Sequence, residues 1–227
     1  MKGKLYVVGT PIGNLEDISA RALHVLREVD WIAAEDTRHT GILLQRYGIR
    51  VPQLSYHKFN EAQRQEELTS KLEAGGHVAL VSDAGMPGVS DPGERIIQVC
   101  RQREIPVEVV PGPSAVIHAL VASGFPMTPF YFGGFIPVKS GGRSRVVAEA
   151  LQRSHTSIYF ESPHRILKTV KAFLEADPNC HLCVARELTK KFEEVTIGRP
   201  ESILKRYSRG KVKGELCLVV AGSSEHH

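Results

Sequence analysis

Short apolar runs recur along the chain, and three times in its first half one breaks abruptly into a turn. The runs cover residues 5–9, 31–35, 52–56, 78–82 and 107–110, a length suited to buried strands. Helical patterns lie between them. Ser19 precedes Ala22, Leu26 and Val29, which recur at helical spacing, so a helix is predicted to start there. Asn60 with Gln63, and Asp91 with Glu94, have the spacing of capping boxes, and Pro92 suits a first helical position. Strand and helix alternating in this way predict βαβ units, hence a mostly parallel sheet with helices on both faces.

Three of these runs end in turns rich in glycine and proline. Val8 leads into Gly9-Thr-Pro-Ile-Gly13, Val81 into Ser82-Asp-Ala-Gly-Met-Pro87, and Val110 into Pro111-Gly-Pro-Ser114. The C-terminal ends of parallel strands share one edge of the sheet, where ligands bind at a topological switch point. Turns so short of side chains predict a crevice in which backbone comes close to a ligand.

The pattern changes at Phe125-Pro-Met-Thr-Pro129, a two-proline segment that suits a linker. Strand-like runs then dominate, at 130–136, 156–161, 181–188, 193–198 and 215–221. Helices are expected near 143–153 and 163–175. The predicted organisation is an α/β domain over 1–124, a linker over 125–129, an α+β domain with a mixed sheet over 130–222, and a polar tail over 223–227.

Composition narrows the function classes. A chain of 227 residues with 42% hydrophobic and 24% charged content fits an ordinary globular protein. No apolar stretch approaches the roughly 20 residues needed to span a bilayer, and no secretory h-region follows Met1, so the cytoplasm is the default location. Charge is uneven. Residues 1–129 hold 13 Lys/Arg and 15 Asp/Glu, whereas residues 130–227 hold 16 and 10, so the second half suits a polyanionic partner or a plainly solvated basic surface. Cys180 and Cys183 form a C-x-x-C with no second pair, and on a strand they would face opposite ways, so no metal site is expected. His39, His57 and His118 also lack metal-ligand spacing.

Gly9-Thr-Pro-Ile-Gly13 is not the G-x-G-x-x-G of dinucleotide folds, and its proline removes an amide donor that a pyrophosphate would use. No G-x-x-x-x-G-K-[ST] is present, which argues against nucleoside triphosphate chemistry. The ligand should therefore depend on shape, carbonyl acceptors and a carboxylate, as a cationic adenosine compound would. Asp83 is the natural anchor; its other reading is an Asp that merely forms the turn.

Taken together, Gly9-Thr-Pro-Ile-Gly-Asn-Leu15, Ala34-Glu-Asp-Thr-Arg38, Val81-Ser-Asp-Ala-Gly-Met-Pro87, Asp91-Pro-Gly93 and Pro111-Gly-Pro-Ser-Ala115 resemble the tetrapyrrole-methylase superfamily. Within it the chain resembles the 16S rRNA cytidine 2'-O-ribose methyltransferase I family, and the match continues through Gly134-Phe-Ile-Pro137, Glu161-Ser-Pro-His-Arg165, Ala185-Arg-Glu-Leu-Thr-Lys190 and Lys213-Gly-Glu215. The resemblance implies two α/β domains, S-adenosylmethionine bound in the cleft between them, a homodimer, and a cytidine of the decoding centre in the small ribosomal subunit as substrate. It implies RNA as partner, with no DNA and no membrane. Carried over, Pro11, Asp83, Gly85, Met86, Ser114 and Ala115 would line the cofactor site from the first domain, and Ser162 and Leu188 from the second. It also implies a small helical region after Gly222.

Candidate RNA-binding residues are basic. Lys139-Ser-Gly-Gly-Arg-Ser-Arg145 is expected to be a mobile loop whose Lys139, Arg143 and Arg145 seek phosphate. Arg186 and Lys190 are expected on one face of a strand, with Glu187 on the other. Glu161 and Arg165 fit a structural ion pair at a helix start. Glu161 and Glu187 are conceivable bases and Lys190 a conceivable electrostatic stabiliser, but no catalytic base is assigned. Two rival functions stay open: the same fold acting on a tetrapyrrole or other small molecule, and a ribosome-assembly RNA-binding protein without turnover.

Overall fold

The computed structural model describes residues 1–223, so most of the expected polar tail lies outside the described residues. The chain forms two compact units, dividing between Ser114 and Ala115.

The first unit is a parallel sheet of β1 (Leu5–Val8), β2 (Trp31–Ala34), β3 (Gln53–Ser55), β4 (Val78–Val81) and β5 (Val107–Val110), ordered β3-β2-β4-β1-β5. Every residue of β4 is buried, as a central strand covered on both faces requires. Alternate residues feed two cores. Val8, Ile32, Ala34 and Val81 pack with α1 (Ala20–Glu28) and α2 (Thr37–Arg46). Leu5, Val7, Ala33 and Leu80 pack with α3 (Glu61–Glu73) and α4 (Glu94–Gln102) on the opposite face. The faces differ because the chain runs outward through β1, β2 and β3, then reverses through β4 to β5. Right-handed crossovers of opposite direction place their helices on opposite faces. Loops leaving β2 and β4, which are neighbours, therefore diverge and open a crevice at the strands' C-terminal ends.

Ser19 caps α1 as predicted, its hydroxyl accepting from Ala22 N–H. The other two expected caps differ. Asn60 precedes α3, but its carboxamide accepts from His57 N–H and donates to Ser55, closing the preceding turn. Helix α4 begins at Glu94 and not at Pro92. Gly93 precedes it at φ 138°, a conformation that side chains rarely adopt, and a Cβ there would also lie 2.9 Å from Leu80.

The second unit is a mixed sheet ordered β6-β7-β10-β8-β9, formed by β6 (Phe130–Phe135), β7 (Thr156–Glu161), β8 (Leu182–Arg186), β9 (Glu194–Gly198) and β10 (Leu216–Val220). β6 and β7 run parallel and the remaining pairs antiparallel. One face packs on α6 (Ser140–Gln152), α7 (Ile166–Ala176) and α8 (Pro200–Tyr207) through Tyr159, Val170, Phe173, Leu218 and Ile203. The other face contacts α5 (Ala115–Ser123). Helix α8 was not anticipated, although Pro200 opens it and Ile203 and Tyr207 share its buried side.

The division falls ten residues before the boundary expected from the proline-rich segment. That segment belongs to the second unit and does not behave as a linker. Phe125 is buried, and the Pro126 carbonyl accepts a 2.7 Å hydrogen bond from Thr156. Helix α5 goes with it because its apolar side packs on β7, β8 and β10.

Candidate functional site at the glycine turns of the parallel sheet

The three strand-end turns of the first unit touch one another. Gly9 N–H donates to Val110 (3.0 Å), while Thr10 and Gly85 exchange backbone hydrogen bonds of 2.9 and 3.1 Å. The Thr10 hydroxyl donates to the Ser82 carbonyl at 3.1 Å. A Cβ on Gly9 would stand 2.6 Å from the Met86 sulfur and 2.7 Å from Gly112 Cα, distances that real Cβ atoms do not reach. Gly85 turns the chain at φ 76°, in the region that favours glycine. Pro11, Asp83, Gly85 and Met86 are thus brought together, with Gly85 also near the Pro113 carbonyl and Ser114 next in the chain.

Carboxylates line the same edge. Asp83 accepts from Asp36 N–H at 3.0 Å, and Glu35 accepts from Asp83 N–H at 3.4 Å. Burial pushes the Glu35 carboxyl above its ordinary range, and the neighbouring Asp83 charge pushes it the same way. Asp36 behaves oppositely: Arg38, bonded to it through guanidinium and backbone, holds it well below the usual carboxylate range. Asp36 also caps α2. A pocket opens alongside, lined by Thr10, Pro11, His39, Thr40, Leu43 and Asp83. Asp83 thus ties the segment after β2 to the turn after β4 and lines the pocket. Glu35 escaped sequence reasoning as a site residue. Its available signal was its position immediately after a buried parallel strand.

The second unit treats its predicted residues differently. Ala115 opens α5, and its carbonyl lies 3.7 Å from the Cys217 sulfur. Ser162 follows β7, with its N–H donating to Glu161 and its carbonyl accepting from Arg165 and Ile166. Glu161 is buried, pairs with Arg165 at 3.1 Å and accepts from Thr169, so it is the structural ion pair expected of it. Leu188 is buried within the turn after β8. Arg186 and Lys190 do not alternate on a strand. β8 ends at Arg186, and Lys190 lies in the turn beyond, because Glu187 and Thr189 adopt φ values of 51° and 62°. Their charges are partnered, Arg186 by Glu194 (2.9 Å) and Lys190 by Glu187 (3.0 Å) and Glu215 (2.6 Å).

The expected mobile loop at 139–145 is the first turn of α6, with Lys139 at its cap position. Gly142 serves packing, since a Cβ would lie 2.9 Å from Pro137. Lys139 and Arg145 are exposed and Arg143 half-buried. All four cysteines are unbridged and buried, and burial pushes the thiols of Cys180 and Cys183 up to about 12. Among the described residues no cluster could hold a metal, and no helix is long and apolar enough to cross a membrane.

Comparison with known proteins agrees with this architecture. The profile of the tetrapyrrole (corrin/porphyrin) methylases matches residues 4–203. The chain is 45% identical to a ribosomal RNA small subunit methyltransferase I of Synechocystis, over 98% of this chain and 80% of that one. It is 44% identical to the protein of the same name from Thermotoga maritima, over 97% of this chain and 99% of that one. Among solved structures, a uroporphyrin-III-C-methyltransferase of Thermus thermophilus superposes with TM-score 0.69 and 26% identity, covering 97% of this chain and 94% of that one. A crystal structure of a uroporphyrin-III C-methyl transferase from Thermus thermophilus complexed with S-adenyl homocysteine has TM-score 0.66 at 20% identity, covering 99% and 100% of the two chains. The chain belongs to the tetrapyrrole methylases and, among them, to the ribosomal RNA small subunit methyltransferase I family.

Proposed function

We propose that this methyltransferase transfers a methyl group from S-adenosylmethionine to the ribose 2'-hydroxyl of a cytidine in the decoding centre of 16S rRNA, acting in the cytoplasm on the small ribosomal subunit. The observation that carries the cofactor assignment is the edge where Gly9, Gly85 and Gly112 meet beside Glu35 and Asp83. Two neighbouring carboxylates disfavour a phosphate and favour a cation with amino and hydroxyl donors, and the absent side chains let the turns pack against one another beside them. S-adenosylmethionine, when bound, supplies the electrophilic methyl and the leaving group. The protein's part is then placement, worth roughly 7–11 kcal/mol when the reacting atoms are aligned. Pro11, Asp83, Gly85, Met86 and Ser114 perform it in the first unit. Ala115, Ser162 and Leu188 are assigned to it from the family resemblance.

Neither Glu161 nor Glu187 is assigned as a base, since Arg165 and Thr169 engage the first and Lys190 and Glu215 the second. RNA phosphate is assigned to Lys139, Arg143 and Arg145 at the start of α6. Replacing all three with Ala should lower the salt dependence of subunit binding by about one unit of slope per lost contact. A homodimer is proposed as well. Its support is α5, which is apolar yet leaves Ile117 and Val121 exposed, as a helix covered by a second copy would.

The deciding experiment incubates the protein with labelled S-adenosylmethionine and small subunits lacking the modification. The expected product carries label in a dinucleotide resistant to alkaline cleavage, because a methylated 2'-oxygen cannot attack the adjoining phosphate. Label in an alkali-sensitive nucleotide would move the reaction to a base, and cofactor binding without label in RNA would overturn the reading.

A further inference from the structure

The backbone that follows β8 is held in an unfavourable shape by many independent contacts. Glu187 and Thr189, neither a glycine, lie in the left-handed region at φ 51° and 62°, and Thr is β-branched. Glu187 N–H donates to Glu215 O (2.9 Å), and Glu215 N–H returns a bond to Glu187 Oε1 (3.0 Å). The Lys190 ammonium ties both carboxylates together. Glu193 accepts from Thr189 N–H and donates its own N–H to the Lys190 carbonyl at 3.0 Å. Gly214 lies opposite, where a Cβ would stand 2.4 Å from the Glu187 side chain. Residues of this kind persist only where their surroundings over-determine them, and they gather at functional sites.

This rigid turn presents one side chain. Phe192 is 65% exposed at its tip, with the Lys191 ammonium 5.7 Å from the ring centroid. Lys191 stands on the turn itself, and Lys211 and Lys213 on the segment that leads into β10. Lys191, Lys211 and Lys213 are exposed and form no ion pair among the described residues. The Lys213 carbonyl accepts from Arg186 at 3.4 Å, which keeps that segment beside the turn. An exposed aromatic ring with a cation beside it, and further exposed cations on the segment bonded to the same turn, suits an unpaired nucleobase and its flanking phosphates, the usual mode of recognising single-stranded RNA.

We propose that Phe192 is a stacking platform for an unpaired base of the RNA substrate, with Lys191 and Lys213 holding the phosphates beside it. The inference rests on the reading of the chain as an rRNA methyltransferase and adds which side chain meets a base. Arg186 and Lys190, expected to bind RNA directly, act instead by building the turn.

The test compares the full chain with Phe192→Ala and Phe192→Trp, using small subunits lacking the modification as the probe. Phe192→Ala should weaken binding by about tenfold with an unchanged salt slope, unchanged cofactor affinity and an unchanged melting temperature. Phe192→Trp should bind like the parent, and its added fluorescence should be quenched by subunits; Trp31, the other tryptophan, provides the baseline in the parent. Parental affinity in Phe192→Ala would overturn the proposal, as would unquenched added fluorescence in a Phe192→Trp variant that binds. A loss of affinity accompanied by a halved mass in light scattering would place the ring against a second copy and overturn it too. Should Phe192→Ala fail to fold, the fluorescence of Phe192→Trp decides. A parent that binds no subunit at any salt concentration would instead sink the rRNA reading itself, and this inference with it.

Discussion

The edge of the parallel sheet in the first unit and the turn after β8 in the second are both strand-end turns, built by opposite means. At the first, side chains are removed: Gly9 and Gly112 meet backbone to backbone, and Gly85 turns at φ 76°. At the second, side chains are kept, and Glu187 and Thr189 hold a left-handed backbone against its preference through Lys190, Glu193 and Glu215. Glycine serves where the backbone itself must approach something. An ion-pair network serves where a side chain such as Phe192 must be projected from a fixed position. The first device should fail on adding a carbon, and the second on removing a charge.

The largest effect is expected from Gly9→Ala, whose new methyl would press on backbone at Gly112 and on the Met86 sulfur. Overpacking of this kind costs about 1–3 kcal/mol, which in a chain of this size lowers Tm by roughly 2–4 °C per kcal/mol. Cofactor binding should be lost with it, as calorimetry would show. Parental stability would mean that the turns have slack and that glycine is not required. Next in size, Asp83→Ala should weaken S-adenosylmethionine binding by about 10- to 100-fold, the usual 1.5–3 kcal/mol of a charge-assisted hydrogen bond. Asp83→Asn can keep the bond from Asp36 N–H, so a loss in Asn equal to that in Ala would assign the effect to charge.

The charge network is the weaker device. Lys190→Met should cost about 1 kcal/mol, as partly exposed pairs do, and should weaken subunit binding with no effect on the cofactor. Its pH dependence follows from Glu187. Burial would raise that carboxyl, but the Glu215 N–H and Lys190 hold it below its ordinary value of 4.5. A depressed acid stabilises the fold above its unfolded pKa and stops doing so as pH falls through the lower folded value. The difference between Lys190→Met and parent should therefore be full at pH 7 and vanish in acid. Glu35 predicts the reverse and the smallest change. Its carboxyl is raised by burial, so ionising it costs stability as pH rises from 4.5 through the higher folded value. Glu35→Gln should melt above the parent at pH 7, and the two should converge below pH 4.5. Parallel pH curves for the two variants would break the contrast between the sites.

Much of the first unit was legible because its signals are local. A four-residue apolar run such as Val78–Val81 has few ways to be satisfied, and a Gly/Pro turn at its end identifies the edge where ligands bind. Pro11, Asp83, Gly85 and Met86 were accordingly found together. The second unit was harder for identifiable reasons. Alternation of Arg186, Glu187 and Lys190 looks like a strand because periodicity cannot report a reversed φ. Lys139 to Arg145 looks like a loop because two glycines usually mark one, whereas here Gly142 makes room for Pro137. Prolines at 126 and 129 looked like a linker because burial of Phe125 is invisible from composition.

Residue order alone was enough for the alternation of strands and helices, the parallel sheet, the glycine turns and the family, since each depends on spacing within a few positions or on an ordered set of motifs. Glu35 against Asp83, Glu187 against Glu215 and Gly214, and the exposure of Phe192 depend on which distant segments become neighbours. Those pairings span 48 and 28 residues in the first two cases, well beyond the reach of any local pattern. They come from strand order, which brings β2 beside β4 and β8 beside β10. Packing alone settles which strand is whose neighbour, because burying the apolar faces of both sheets is a property of the whole unit.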